Sequence, residues 1–305
     1  MVSLFALTLV FSQIDIRGTW QTICSAKLSW LFVALLIYVL ALLISAERAR
    51  IVLLSVPVNI SRPINLRLCW LGMFYNFFLP GGVGGDGYKV YWLHRRHDVS
   101  MRSVVEALLT DRLSGLTAIC FYTVAYAAFR SGLLNSLPTF APYQKYLLIL
   151  LPIGLLVYWS VVRMMSARLV RSSFVALALS FLIQGLQMCT AVAILQSLGG
   201  VGSHLTDYLF LFLLSSIASA VPVTLGGVGA RELAFMFGSH HLGINEHIAI
   251  SLSLIFYVVS LLSSLPGIIL ALRTDLIDGK SIAQPDVTPD LADVIEEAST
   301  QPSKS

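Results

Sequence analysis

A glycine-rich break that occurs twice inside apolar stretches of membrane length limits this chain more than any other feature. The first copy, FLPGGVGGDGYK, spans Phe78–Lys89 and the second, VPVTLGGVGARE, spans Val221–Glu232. Aligning the shared GGVG places Gly81 opposite Gly226, an offset of 226 − 81 = 145 residues, close to half of the 305-residue chain. Backbone leaves the helix at bilayer depth only where it is buried in protein or lines a wet cavity. Charges at that depth are costly and tend to be functional. Asp86 and Lys89 follow the first break, and Arg231 and Glu232 follow the second. Paired broken segments in corresponding halves of a chain point to a transporter-type binding site.

Composition supports the membrane setting. Hydrophobic residues make up 57% of the chain and charged ones 12%, with a mean hydropathy of +0.82. A soluble domain carries about 25% charged residues. The net charge of +4 is spread along the chain and implies no nucleic-acid partner. The cysteines Cys24, Cys69, Cys120 and Cys189 lack CxxC spacing and read as small buried hydrophobes.

Charge-free runs of about 20 residues set the spans. Leu28–Ala46, Leu113–Phe129, Tyr146–Val162, a helix near Phe174–Leu198 within Ser172–Thr206, and His247–Leu272 each read as full crossings. Met1–Phe11 has no basic leader and reads as a first helix running to about Ile16, not as a signal peptide. Two broken stretches remain. Leu68–Gly85 runs into Pro80 and resumes at Tyr88–Leu93, and Tyr208–Pro222 stops at Pro222 and resumes at Leu233–Leu242. Arms this short make re-entrant hairpins, not pairs of crossings. Ile51–Ile60, ended by Pro57 and Pro63, reads as an interfacial or half-spanning piece.

Basic residues orient the spans. Arg48, Arg50, Arg62 and Arg67 precede the first hairpin, Arg95, Arg96, Arg102 and Arg112 follow it, and Arg163, Arg168 and Arg171 cluster later. The loops Ser131–Gln144 and Gly199–Thr206 hold no Lys or Arg. With the basic loops in the cytoplasm both termini lie inside. Three full spans separate the hairpins, and an odd number makes them enter from opposite faces. The expected fold is an all-α polytopic membrane protein of about six full helices plus two glycine-broken re-entrant hairpins forming an inverted repeat. Residues 1–272 form its membrane domain. Residues 273–305, bearing Asp, Glu, Pro and Ser and no aromatic residue, form a disordered cytoplasmic tail.

The glycines Gly81, Gly82, Gly84, Gly85, Gly226, Gly227 and Gly229 permit close backbone approach. Tight helix packing explains one or two of them, but not a repeated GGVG beside Asp86 and Arg231–Glu232. Mutual pairing of those charges, or pairing with Asp86 or Lys89 across the repeat, is one expectation. Headgroup contact or gating is the other: Arg231 with an anionic headgroup, aided by half-helix N-termini, and Asp86 with a cationic headgroup or a coupling proton or ion. Glu106, Asp111 and Arg112 stand where a cytoplasmic segment enters the third span, spaced to share a helical face, with surface solvation the plainer alternative. Asn76, with Tyr75, precedes Pro80 and is placed to bond the freed backbone. Gly82-x-Gly84-x-x-Gly87 follows an apolar run and Pro80, not a strand, so it is no dinucleotide turn. His240, His241 and His247 read as interfacial. No cofactor or metal is expected.

The pattern Asn76-x2-Leu79-Pro80-Gly81 … Gly84-Gly85-Asp86, then Glu106-x4-Asp111-Arg112-x2-Gly115-Leu116, then Pro222 … Gly226-Gly227-Val228-Gly229-x-Arg231-Glu232, resembles the lysylphosphatidylglycerol synthase transmembrane-region family of flippase-like proteins. The likeness covers about residues 28–272; the short first helix departs from it. In large bifunctional members a soluble C-terminal domain transfers an aminoacyl group to phosphatidylglycerol and the membrane domain moves the product between leaflets. No such domain is expected here, so the resemblance does not imply transferase activity. Other members stand alone and are linked to polyprenyl- or dolichol-type lipids. The resemblance therefore implies a lipid translocase in a bacterial or archaeal cytoplasmic membrane, handling an anionic or zwitterionic headgroup or a polyprenyl phosphate. The motif residues Asn76, Pro80, Asp86, Lys89, Glu106, Asp111, Arg112, Pro222, Arg231 and Glu232 join the glycines as its expected binding or gating set. An intramembrane lipid-modifying enzyme and an accessory scaffold for a lipid-synthesising enzyme are the alternatives. A homodimer or that enzyme is the expected protein partner.

Overall fold

The computed structural model describes residues 16–78, 84–97, 99–129, 141–220 and 229–272. Among these residues there is helix and no strand. The expected first helix, apart from its last residue, and the tail 273–305 fall outside the described residues. Pro80, Gly81, Gly82, Pro222, Gly226 and Gly227 do so too.

The helices are α1 (Ile16–Cys24), α2 (Leu28–Leu53), α3 (Arg62–Phe78), α4 (Gly84–His97), α5 (Met101–Phe129), α6 (Leu150–Met165), α7 (Val170–Ser197), α8 (Leu205–Ala220), α9 (Ala230–Leu242), α10 (Glu246–Ser264) and α11 (Pro266–Leu272). A 3₁₀ segment, Ala141–Ile149, leads into α6. Four helical stretches are long and apolar enough to cross a membrane: Leu28–Leu53, Tyr146–Met165, Ala167–Ser197 and Glu246–Ser264. Of the six expected crossings, the first lies outside the described residues. The other, Leu113–Phe129, is the charge-free part of α5, whose 29 residues begin twelve positions earlier and include Arg102, Glu106, Asp111 and Arg112.

α2 and α5 outrun their expected ends, and the charges in their extensions are paired and so do not stop the helix. α2 continues past Ala46 through Glu47, Arg48 and Arg50 to Leu53. Ile51–Ile60 is accordingly not a half-span: its start finishes α2, and Val56, Val58 and Ile60 are buried in the non-helical link that follows. The expected last span is divided at Leu265. Leu265 keeps helical torsions, but Pro266 has no amide hydrogen with which to continue the ladder, and α11 packs on α3, where a Cβ on Gly267 would stand 2.5 Å from the Trp70 carbonyl oxygen. Cys24, Cys120 and Cys189 are exposed, against the expectation of burial; only Cys69 is partly covered. The lipid-facing side of a membrane helix is apolar, so an apolar neighbourhood in sequence does not mean an interior position.

Both broken stretches are antiparallel helical hairpins. Between α3 and α4, contacts run in reverse chain order: Asn76 with Gly85, Tyr75 with Tyr88, Cys69 with Lys89. Between α8 and α9, Ser215 and Ser216 meet Arg231, Leu211 meets Gly238, and Tyr208 meets Asn245. Arms of 17 and 14 residues, then 16 and 13, rise about 20–26 Å, short of the roughly 30 Å core.

The hairpins open at opposite ends of the bundle. The end of α2 touches the early part of α5 and of α7 through Arg48, which bonds Asp111 and Ser180. The start of α2 touches the end of α7, where the Lys27 amide donates to the Ser197 carbonyl at 2.8 Å. Hairpin α3–α4 leads directly into α5 at the first end, while α8 follows α7 at the second, with Phe210 stacked on Tyr126 near the end of α5. The buried apolar residues fall into two matching clusters. One joins Leu68, Leu71 and Leu93 to Val104 and Leu169, and the other joins Leu211, Phe212 and Phe235 to Ile194 and Phe256.

Gly85 shows why the first hairpin needs its glycines. A Cβ there would sit 2.1 Å from the Gly72 carbonyl oxygen, whereas one at Gly87 meets nothing within 4 Å. Gly85→Ala is expected to force the arms apart and to cost at least about 2 kcal/mol, as overpacking in a close-packed interface does. Gly87→Ala is expected to be neutral or to stabilise α4 by up to about 1 kcal/mol. Thermal unfolding of the two purified variants beside the parent protein checks the contrast.

Candidate functional site

One described residue near the tip of each hairpin touches the middle of α10. At the first tip, the Phe77 ring meets Tyr257 edge-on with centroids 5.4 Å apart. At the second, the Arg231 guanidinium lies over the ring of Phe256, 4.4 Å from its centroid, and 5.1 Å from that of Phe212. Two adjacent residues of α10 therefore touch hairpins that enter from opposite ends. The ring of Tyr38 on α2 packs edge-on against Phe256, and its hydroxyl lies 2.8 Å from that of Ser260.

Arg231 is held without a carboxylate. Its guanidinium donates to the hydroxyls of Ser215 and Ser216, at 3.4 and 3.2 Å, across the hairpin. No ion pair to Arg231 is present among the described residues. Its neighbour Glu232, 3% exposed, turns the other way. One carboxylate oxygen accepts from the Gly229 amide at 2.7 Å and the other from the Ser253 hydroxyl at 2.9 Å. Glu232 thus caps α9 from its third position, reaching back to an amide with no helical partner. Gly229 itself has φ +94°, a conformation that favours glycine. Among the described residues Arg231 and Glu232 form no direct ion pair with each other or with Asp86 or Lys89 across the repeat, although the charge of Glu232 still acts on Arg231. The cap takes the carboxylate and leaves the guanidinium facing rings and hydroxyls.

The first hairpin is capped from its opposite arm. Asn76 Oδ1 accepts from the Gly85 amide at 2.9 Å, the bond to freed backbone expected from its place before Pro80. Asp86, in the first turn of α4, pairs with Arg112 on α5. The ammonium of Lys89, one turn on, donates to the thiol of Cys69 at 3.5 Å. Gly84, at the start of α4, belongs to the same turn.

The Glu106–Asp111–Arg112 group does not form one face. Five residues rotate a helix by about 140°, and the three side chains reach three different partners. Glu106 takes Arg102, which is 88% exposed, so its pair is a solvated one. Arg112 takes Asp86. Asp111 accepts two bonds from Arg48, at 2.8 and 3.0 Å. Arg48 is 8% exposed and also donates to Ser180 at 2.8 Å, and Ser180 in turn donates to Ser114 at 3.0 Å. Gly115 makes room for this guanidinium, since a Cβ there would lie 3.3 Å from its Nη1. Asp111 and Arg112, adjacent in sequence, thereby tie the α2–α7 core to the first hairpin.

Reading the sequence missed Arg48, Ser114, Ser180, Ser215, Ser216, Ser253, Phe212 and Phe256. Arg48 was counted as a basic loop residue. A carboxylate at helix depth, Asp111, was the signal that a buried cation had to exist. The serines give no signal, because isolated hydroxyls are common in membrane helices.

Chemically, the described residues here offer a cation with aromatic flanks, capped helix ends and several hydroxyls, beside the part of α10 that both short hairpins touch. A guanidinium so placed suits a phosphate or carboxylate oxygen. A family model described as the lysylphosphatidylglycerol synthase TM region matches residues 1–267. No curated protein matches the chain.

Proposed function

Because this chain belongs to the lysylphosphatidylglycerol synthase TM-region family, we propose that it is a translocase for an anionic lipid, passing the headgroup between leaflets at the hairpin tips while the chains stay in the bilayer. The observation that carries this reading is the placement of Arg231. It has aromatic and hydroxyl contacts, no bonded carboxylate among the described residues, and a position against the part of α10 that hairpins from opposite ends both touch. A half-buried cation with no bonded carboxylate is costly, and an arriving phosphate lowers that cost by supplying a bonded negative charge. The headgroup belongs to a phospholipid or a polyprenyl phosphate. With the basic loops in the cytoplasm, hairpin α3–α4 opens inward and hairpin α8–α9 outward.

Reconstitution into liposomes containing headgroup-labelled phosphatidylglycerol tests the proposal. Leaflet exchange, read as the fraction of label that a membrane-impermeant quencher removes with time, is expected to be faster than in protein-free vesicles. Mass spectrometry of the same vesicles is expected to show the lipid unchanged. Conversion of the lipid without faster exchange would replace the translocase with the intramembrane enzyme.

A further inference from the structure

Beside the Arg231 site lies a large groove that the polar machinery does not use. It has a volume of about 920 Å³ and runs between α1, the first two turns of α2, and α10. Phe32 and Leu35 of α2 form one wall, Leu254, Val258 and Leu262 of α10 the other, and Trp20 of α1 covers one end. Its size is at the upper end of ligand pockets, about 300–1,000 Å³. The lining is almost wholly apolar, so it has nothing to hold a headgroup.

Continuity with the tip site identifies the occupant. Tyr257 lines the groove and meets Phe77 at the first hairpin tip, and the preceding residue, Phe256, lies against Arg231. On the opposite wall Tyr38 follows Leu35 by three residues, one turn further along α2, and packs on Phe256. The Tyr38–Phe256 pair thus stands between the groove and Arg231, and a lipid whose phosphate reaches Arg231 would carry its first chain carbons past that pair to the inner end of this groove. The outer end lies at the start of α2, which is bonded to the end of α7, the end where the second hairpin opens.

We infer that the groove holds one hydrocarbon chain of the anionic lipid whose headgroup sits at Arg231, taken from the leaflet on the α8–α9 side. The inference rests on the translocase reading and names the part of the lipid that the polar site leaves unbound. Without a hydrophobic driving force inside the bilayer, such a chain is held by shape and dispersion contacts alone. Blocking the space is therefore the direct perturbation.

The test uses the full chain in phosphatidylcholine liposomes with phosphatidylglycerol carrying a diazirine near the end of one acyl chain. After illumination, label is expected on residues 254–262 and 28–35, about tenfold above that on the lipid-facing residues of α6 such as Ile153 and Leu156. Val258→Trp and Leu262→Trp, at positions 49% and 47% exposed, are expected to unfold thermally as the parent does and to cut groove labelling and exchange about tenfold. Equal label on α6 and the groove, with exchange untouched by both tryptophans but stopped by Arg231→Ala, would overturn the chain site and leave the translocase standing. Label on residues 1–15 in place of the groove walls would make this chain's own N-terminal segment the occupant, and would overturn it too. Groove labelling combined with exchange no faster than in protein-free vesicles would support the chain site and remove the translocase reading.

Discussion

Arg231→Ala is expected to reduce leaflet exchange of phosphatidylglycerol by about 10–100-fold, because a hydrogen bond to a charged group contributes about 1.5–3 kcal/mol. Its effect on stability is expected to be small, and the contrast separates a ligand-binding cation from a structural one. In the folded protein the guanidinium gains the rings of Phe212 and Phe256, with about 2 kcal/mol from desolvated cation–π contact. Against that stands the cost of drawing a half-buried charge partly out of water with no carboxylate bonded to it, of similar size. The two nearly offset. Thermal unfolding of Arg231→Ala should then stay within a few degrees of the parent while exchange collapses. Arg231→Lys keeps the charge but not the planar stack on Phe256, and should fall between the two. A variant that loses stability and exchange in proportion would mean that Arg231 only holds the hairpin together.

Asp111→Ala is expected to have the largest effect on stability, about 3–5 kcal/mol, the loss seen when one member of a buried pair is removed. Arg48 would then keep its charge at 8% exposure with only Ser180 to bond. Removing both charges with Arg48→Met and Asp111→Leu should restore most of the stability, because well-packed apolar residues replace a buried pair at little cost. Unfolding of the two single variants and the double variant gives the coupling. The consequence extends to the site. Arg112 follows Asp111 and holds Asp86 at the head of α4, so loosening α5 also releases the first hairpin. Exchange by Asp111→Ala should fall even at temperatures where the protein remains folded.

Much of the architecture is legible from charge-free runs and from proline and glycine. Leu28, Tyr146 and the region of Phe174 mark helices because nothing polar interrupts them, and both GGVG segments mark hairpins because helix cannot continue there. Asn76 was legible as a cap because a break leaves amides without partners. Helix ends were less so. Glu47, Arg48 and Arg50 look like a loop until Glu47 is seen bonded to Arg50 and Asp111 to Arg48. Pairing of this kind depends on residues 63 positions apart, which no local pattern reveals. The division at Leu265 did have a signal, Pro266 followed by Gly267, masked by the apolar run around it. The partners of Arg231 and Glu232 could not be read, because adjacency in sequence suggested a pair where α9 turns the two side chains apart. The groove along α10 was invisible for a related reason: lipid-facing and groove-facing residues are equally apolar.

The whole account depends on two hairpins entering from opposite membrane faces and meeting at α10. Cysteine labelling measures this directly. With Cys24, Cys69, Cys120 and Cys189 replaced, single cysteines are placed by Ser61→Cys at the mouth of the first hairpin and Ser203→Cys at that of the second, both exposed positions. In intact cells a membrane-impermeant maleimide is predicted to label the Ser203→Cys protein at once, and the Ser61→Cys protein only after the membrane is opened. Labelling of both from the same side would contradict the account.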